Sequence, residues 1–322
     1  MNQPLITLLE ENYKRISNFL GHEVEAVICI PLAVQYTLAG KYFNGLEFEQ
    51  LKQQLAQPQK QSFLQWLTDF SRSQALHYKL VTYFALHTNR EEEYARVVKG
   101  ERLLEEAGFN RSHYQSIAAL FLLDDKHAKR AKLLHEEMKR HHYFLTGKDD
   151  IPYAVLLTRK EGNITKQAET MCHYYDVLQE NGFKKGDSLQ AMTQLLTLYA
   201  EDVEETLMEY VQAICTMLEE NSIDVKKRHY PYIALLALTG TTTVQLQGMI
   251  ELTKQLQQLN LFEANPVYAL LIAIYYLIYQ MQDTKQLVHL TDVSLLLDAL
   301  TVSDLLWDFT FFFGFDILDL LT

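Results

Sequence analysis

The segment His135-Glu136-Glu137-Met138-Lys139-Arg140-His141-His142 gathers histidines and glutamates on what reads as one helix. A zinc-binding helix of the metalloprotease type needs its second histidine four residues after the first, so that both rings reach one ion. Position 139 is Lys, which fails that test. His135 and His142 share a face but stand among Lys132, Lys139 and Arg140, whose charge opposes a divalent cation. The stretch from Lys126 to Arg140 therefore reads as a basic helix that could meet an acidic partner. Gly182-Phe183-Lys184-Lys185-Gly186-Asp187-Ser188 has two glycines and a serine but neither the spacing nor the Lys-Ser/Thr pair of a phosphate loop. No Gly-x-Ser-x-Gly turn occurs to expose a nucleophilic serine. Cys29, Cys172 and Cys215 form no Cys-x-x-Cys pair, which excludes a disulfide framework and a thiolate zinc site and suits a reducing compartment. These residues assign no catalytic group, no metal ligand and no cofactor.

Histidine before tyrosine is the pairing that recurs. It occurs at His77-Tyr78, His113-Tyr114, His142-Tyr143, His173-Tyr174 and His229-Tyr230. If the chain is built from stacked repeats, equivalent positions form a ladder along one edge. His77, Tyr78, His113, Tyr114, His229 and Tyr230 are then a candidate interaction surface, a row of rings offered to an extended ligand. The plainer alternative is packing at helix starts, where a tyrosine buries its ring and wets its hydroxyl.

The elements that must position these residues are marked by proline and glycine. The chain has 12 Gly and 6 Pro in 322 residues, below typical usage of about 7% and 5%. Few punctuators favour long helices. Pro31, Pro152, Pro231 and Pro266 each precede an apolar run and read as helix starts, where the missing N–H is not needed. Leu103–Phe109, Leu178–Phe183 and Leu218–Ile223 read as helix stops, each with Gly108, Gly182 or Ser222 followed by an apolar residue that folds back on the last turn. Cys29, His77, His113, Asp150, Gly186, His229 and Ala264 mark successive starts, most about 37 residues apart, the size of a helix–turn–helix repeat. Polar breaks at Thr88–Arg90, Asp124–Lys126, Lys160–Asn163, Glu201–Asp202 and Gly240–Thr242 divide each period into an apolar first helix and a more polar second one.

The fold expectation is all-α, with helix-pair repeats stacked as an α-solenoid or a curved helical bundle. The tetratricopeptide pattern does not fit, and the looser repeats of the HEAT type are closer. Residues 1–75 read as an N-terminal helical cap, 76–281 as the helical-pair repeats and 282–322 as an acidic, aromatic C-terminal cap, all within one continuous domain. In Trp307 to Ile317 every odd position is apolar, a period-2 pattern that suits a short extended segment. Trp307, Phe309, Phe311 and Phe313 join the candidate interaction surface. They either cover the end of the stack or pair with a partner, including a second copy of the chain. Seven aspartates follow Met281 against the single Lys285, about half the net charge of −12.

That charge argues against nucleic acid, whose binding needs a basic surface. No apolar run reaches the 18 or so residues of a membrane span, and the first residues lack the basic start of a signal peptide. The expected setting is cytoplasmic.

Along Gly182-Phe183-Lys184-Lys185-Gly186-Asp187-Ser188-Leu189-Gln190-Ala191-Met192, and in the Leu-x-Glu-x-Gly-Phe-Lys-Lys-Gly run that leads into it, the chain resembles a bacterial family catalogued as domain of unknown function four thousand and three, found mainly in Bacillus-like bacteria. Members are similar in length, so the resemblance covers nearly the whole chain. It implies a cytoplasmic bacterial protein and supplies no activity, cofactor or catalytic residue. The functional expectation is a non-enzymatic scaffold for a protein or peptide. The alternatives are a helical enzyme or a small-molecule- or metal-binding protein with an unrecognised site, and a peptide-sensing regulator.

Overall fold

The computed structural model describes residues 3–21, 26–55, 73–87, 89–141, 145–263, 265–284, 298–303 and 305–306. Among them every regular element is helical and no strand occurs. The Trp307–Ile317 pattern, with Phe309, Phe311 and Phe313, lies outside the described residues.

The chain divides into two compact units, one running to Val98 and the other from Lys99 to Leu306. The first holds α1 (Gln3–Leu20), α2 (Ala26–Leu38), α3 (Gly45–Leu55) and α4 (Ser73–Leu86), and the boundary falls within α5 (Arg90–Glu106). In this unit α1 packs on α2, and both α2 and α3 pack on α4. Its interior is aromatic: Phe43 meets Phe19, Tyr36 and Phe48 edge-on or tilted at 5.3–5.5 Å, and Phe48 meets Tyr78 at 5.7 Å. Asn12 is fully buried and satisfied. Its Nδ2 donates to Thr37 Oγ1 (3.1 Å) and the Lys41 carbonyl (3.0 Å), and its Oδ1 accepts from the Phe43 N–H (2.8 Å).

The second unit alternates short and long helices: α6 (His113–Ala119), α7 (Asp125–His141), α8 (Ile151–Leu157), α9 (Ile164–Glu180), α10 (Asp187–Leu196), α11 (Glu205–Glu220), α12 (Tyr230–Thr239), α13 (Thr243–Gln257) and α14 (Val267–Thr284). Every residue of α8 and of α12 is buried, as is Leu189–Leu196 of α10. A helix apolar on all sides needs neighbours on all sides, and these have them: α6, α8, α10, α12 and α14 each pack on the next. The longer α9 and α11 are two-faced. In α11 the buried residues Leu207, Met208, Val211, Ile214 and Leu218 fall at helical spacing, and that stripe packs on α12. Gly100 allows a close approach on the other side of the same unit: a Cβ there would sit 2.9 Å from the Ala119 carbonyl oxygen.

Caps place the helix ends close to where the sequence predicts them. Ser112 and Asn163 accept from the N–H three residues on, at 3.2 and 3.1 Å, and Thr242 with Gln245 forms a capping box. The three stops share one bond pattern. Phe109, Phe183 and Ile223 donate to the carbonyls of Leu104, Leu178 and Leu218 at 2.9–3.0 Å, and Gly108, Gly182 and Ser222 donate to the carbonyls of Glu105, Gln179 and Glu219. This is the left-handed cap with its two reverse bonds, and φ is 93°, 95° and 62° at the three turning residues. Pro152 and Pro231 stand in the first turns of α8 and α12, and Pro266 immediately precedes α14.

Pro31 and His77 depart from the expectation. Pro31 lies inside α2 rather than at its start, and His77 lies inside α4 rather than at its start. Proline removes a single N–H donor, and an apolar stretch as buried as Cys29–Val34 keeps its helix through packing despite that loss.

Candidate functional site

Tyr78 is buried against Phe48, and the adjoining His77 is half-buried. His113 is the first residue of α6, and Tyr114 beside it is half-buried. His229 and Tyr230 are buried at the start of α12. His229 and Tyr230 both bond inward. Tyr230 Oη accepts the Lys184 N–H at 3.1 Å. His229 Nδ1 accepts the Lys226 N–H at 3.0 Å, so its proton sits on Nε2, which donates to the Val267 carbonyl of α14 at 3.3 Å. Burial holds its pKa down at about 4, so it stays neutral at pH 7. His127 repeats the arrangement between α7 and α8, accepting the Leu123 N–H at 3.2 Å and donating to the Val155 carbonyl at 2.8 Å. Nothing in the His-Tyr pattern points to His127, which precedes Ala128. What pairs it with His229 is the apolar helix that each staples.

The segments around His135 and over Gly182–Ser188 are occupied by internal bonds. His135 Nε2 donates to the Gly147 carbonyl at 2.6 Å, and its ring stands edge-on to Phe109. In the Gly182–Ser188 loop the Gly186 N–H goes to Tyr175 Oη and the Lys184 N–H to Tyr230 Oη, both at 3.1 Å. Among the described residues no group of three or more His, Cys, Asp and Glu is set to hold a metal ion.

Two features of the second unit remain as sites. One is an open groove of about 490 Å³, whose lining includes Tyr199, Leu207, Glu209, Tyr210, Ala237 and Gly240. It is built by the first two turns of α11, the segment before them and the end of α12. Gly240, with φ 62°, closes α12 in the left-handed conformation and presents no side chain. Leu207 is buried, Tyr199 and Tyr210 are half-buried, and Glu209 is exposed. The groove thus offers two tyrosine rings beside a carboxylate. Its setting is strongly acidic: between Gly186 and Val225 the chain has Asp187, Glu201, Asp202, Glu204, Glu205, Glu209, Glu219, Glu220 and Asp224, and no Lys, Arg or His. Asp202 and Asp224 are paired with Lys166 and Lys226. Glu205 and Glu209 have no ion-pair partner among the described residues.

The other feature is a buried carboxylate with two amides. Asp150 caps the turn before α8: its Oδ2 accepts the Gly147 N–H at 2.7 Å, and its Oδ1 accepts from Gln190 Nε2 (2.8 Å) and Gln194 Nε2 (2.5 Å) of α10. Burial raises its pKa, and the neighbouring Asp149 raises it further. Asp149 itself is pushed up to about 6 by burial and by Asp187. Tyr153, one turn on, hydrogen-bonds Ser303. The two glutamines line a small cavity with Thr146, Met171, Cys172 and Tyr175.

The described residues thus form an all-helical protein in which short apolar helices pack in succession and no helix is long and apolar enough to cross a membrane. The chain belongs to the family described as Protein of unknown function (DUF4003), which matches residues 12–302. It is also similar to the Uncharacterized protein YeaA of Bacillus subtilis (strain 168), with 30% identity over 166 residues, 48% of this chain and 49% of that protein. The chain therefore spans about half the length of the curated relative it matches. No solved structure matches it.

Proposed function

We propose that this protein is a non-enzymatic scaffold of stacked helix-pair repeats that binds an extended, basic peptide segment of a partner protein in the Tyr199–Tyr210 groove. The observation that carries this reading is the open groove with two tyrosine rings and an unpaired Glu209, set in a stretch of forty residues with nine acidic side chains and no basic one. Tyrosine beside carboxylate suits Arg or Lys, which lay their stems on the ring and bring the charge to the oxygen. The succession of α6, α8, α10, α12 and α14 supports the repeat reading, because each short helix is buried by the next. Bacterial cytoplasm is the setting that fits three unpaired cysteines and the family.

The test uses fluorescein-labelled ten-residue peptides in which Arg and Leu alternate, with a matched set in which Glu replaces Arg. Anisotropy should show saturable binding of the Arg set that weakens with salt, and none of the Glu set. Glu209→Lys and Tyr210→Ala should each weaken binding at least tenfold. Equal affinity of the two sets, or binding unchanged in both variants, would sink the proposal.

A further inference from the structure

The cavity behind Asp150 has a feature that a purely structural cluster does not need. The carboxylate takes both amide Nε2 groups, at 2.8 and 2.5 Å. Both side chains are thereby oriented, because Oδ1 accepts both amides while Oδ2 takes the Gly147 N–H. With the nitrogens committed to Asp150, the oxygens are turned away from it. Gln190 is 6% exposed and Gln194 1% exposed, and Oε1 of each is buried with no hydrogen-bond partner. Leaving a buried carbonyl unpaired is costly, and here the two residues that carry such oxygens line the same cavity.

The rest of the wall supplies acceptors and apolar surface. The Thr193 hydroxyl donates to the Gln190 carbonyl (2.8 Å), and Thr146 Oγ1 receives Gln190 Nε2 (3.4 Å). Met171, Cys172 and Tyr175 complete the lining, which is open on one side, and no Lys, Arg or His is part of it. Asp150 stands behind the amides with no cationic side chain paired to it among the described residues, so its buried carboxyl lacks a counter-charge. The occupant this wall calls for is rich in donors, positively charged and small, since the space accommodates about one water-sized molecule. A water could answer both oxygens but not the charge. Sodium, potassium and the divalent ions want more oxygens than two amides and a threonine present, and the methionine and ring surfaces cannot add them.

We infer that the Gln190–Gln194 cavity is a binding site for an ammonium-type cation, either the free ammonium ion or the head of a primary amine, held by the two amide oxygens against the charge of Asp150. The assignment joins residues forty and more positions apart, Asp150 with Gln190 and Gln194, and is independent of the peptide groove.

The test measures thermal midpoints in ammonium, methylammonium, potassium and tetramethylammonium chloride at one ionic strength, together with a proton–nitrogen spectrum of the protein in ¹⁵N-ammonium chloride. Ammonium should raise the midpoint saturably over potassium and tetramethylammonium, the latter having no N–H to donate, and a protected ammonium signal should appear. Methylammonium matching ammonium assigns the site to primary amines, whereas ammonium alone assigns it to the free ion. Gln194→Met removes one oxygen and should weaken the effect at least tenfold. Because it also takes a donor from Asp150, Ala168→Val serves as the second variant, filling the cavity with both amides intact and abolishing the effect. Equal midpoints in all four salts with no protected signal, or an ammonium effect unchanged in both variants, would overturn the assignment.

Discussion

Replacing His229 with Phe separates the staple reading of this residue from a surface role. The ring is 2% exposed and bridges the Lys226 N–H to the Val267 carbonyl. Phe keeps most of the volume and loses both bonds. Lys226 is exposed and Val267 half-buried, so water recovers part of the loss. The expected cost at pH 7.5 is about 1–2 kcal/mol. Acidification then changes the comparison. The folded-state pKa is about 4 because burial disfavours the imidazolium, against about 6.5 in the unfolded chain. The unfolded chain therefore takes up the proton first, and the stability from this group is complete above pH 6.5 and lost as pH falls toward 4. By pH 4.5 the wild type has lost about 2.5 kcal/mol through His229 alone. Phe has nothing to titrate, so the variant should be the less stable protein at pH 7.5 and the more stable one near pH 4.5. His77, His127 and His135, whose pKa values burial also lowers, titrate in both proteins and cancel in the difference. Urea unfolding at half-unit pH steps reads the two curves. Parallel curves without a crossing would show that His229 is not held neutral in the fold, and would remove the physical basis for the staple.

Glu101 tests the opposite sign. Its carboxyl, 7% exposed and hydrogen-bonded by the Ser116 hydroxyl, is pushed up to about 7 chiefly by burial. The folded state thus holds the proton more tightly, and stability is lost as pH rises from about 4.5 to 7. Glu101→Gln keeps an acceptor for Ser116 and should be more stable than wild type by about 3 kcal/mol at pH 8, with the gain fading toward pH 4.5; a gain independent of pH would contradict this account. Ser222 carries a side chain at φ 62° where the matching caps have glycine. Ser222→Gly should therefore stabilise by about 0.5 kcal/mol, the relief of left-handed strain less the entropy of glycine in the unfolded chain, and Gly182→Ser should cost a similar amount in denaturant unfolding.

Local signals in this chain were readable because their chemistry is local. Gly108-Phe109, Gly182-Phe183 and Ser222-Ile223 close their helices through bonds to residues three to five positions back, and such a motif is complete within one short stretch. The polar breaks and Pro152 and Pro231 were readable for the same reason. Pro31 departs from that rule because a proline announces a helix start only where packing does not carry the helix past it. His127 carries no sequence signal because its resemblance to His229 lies in the two backbone groups it joins and not in its neighbours along the chain. Asp150 stands in the sequence only as the mark of a helix start two positions ahead of Pro152, and Gln190 and Gln194 carry no signal of their own.

The all-helical class, the alternation of apolar and two-faced helices and the family are properties of the sequence by itself, because periodicity, caps and turn residues act over a few positions. The meeting of Asp150 with Gln190 and Gln194, the two unpaired amide oxygens and the groove between the start of α11 and the end of α12 belong to the tertiary structure alone. Each is made when α10 packs beside α8 and α11 beside α12, and burial at those contacts raises the carboxyls and lowers the histidines. Such shifts arise from the removal of water by residues distant in the chain, which no local pattern records.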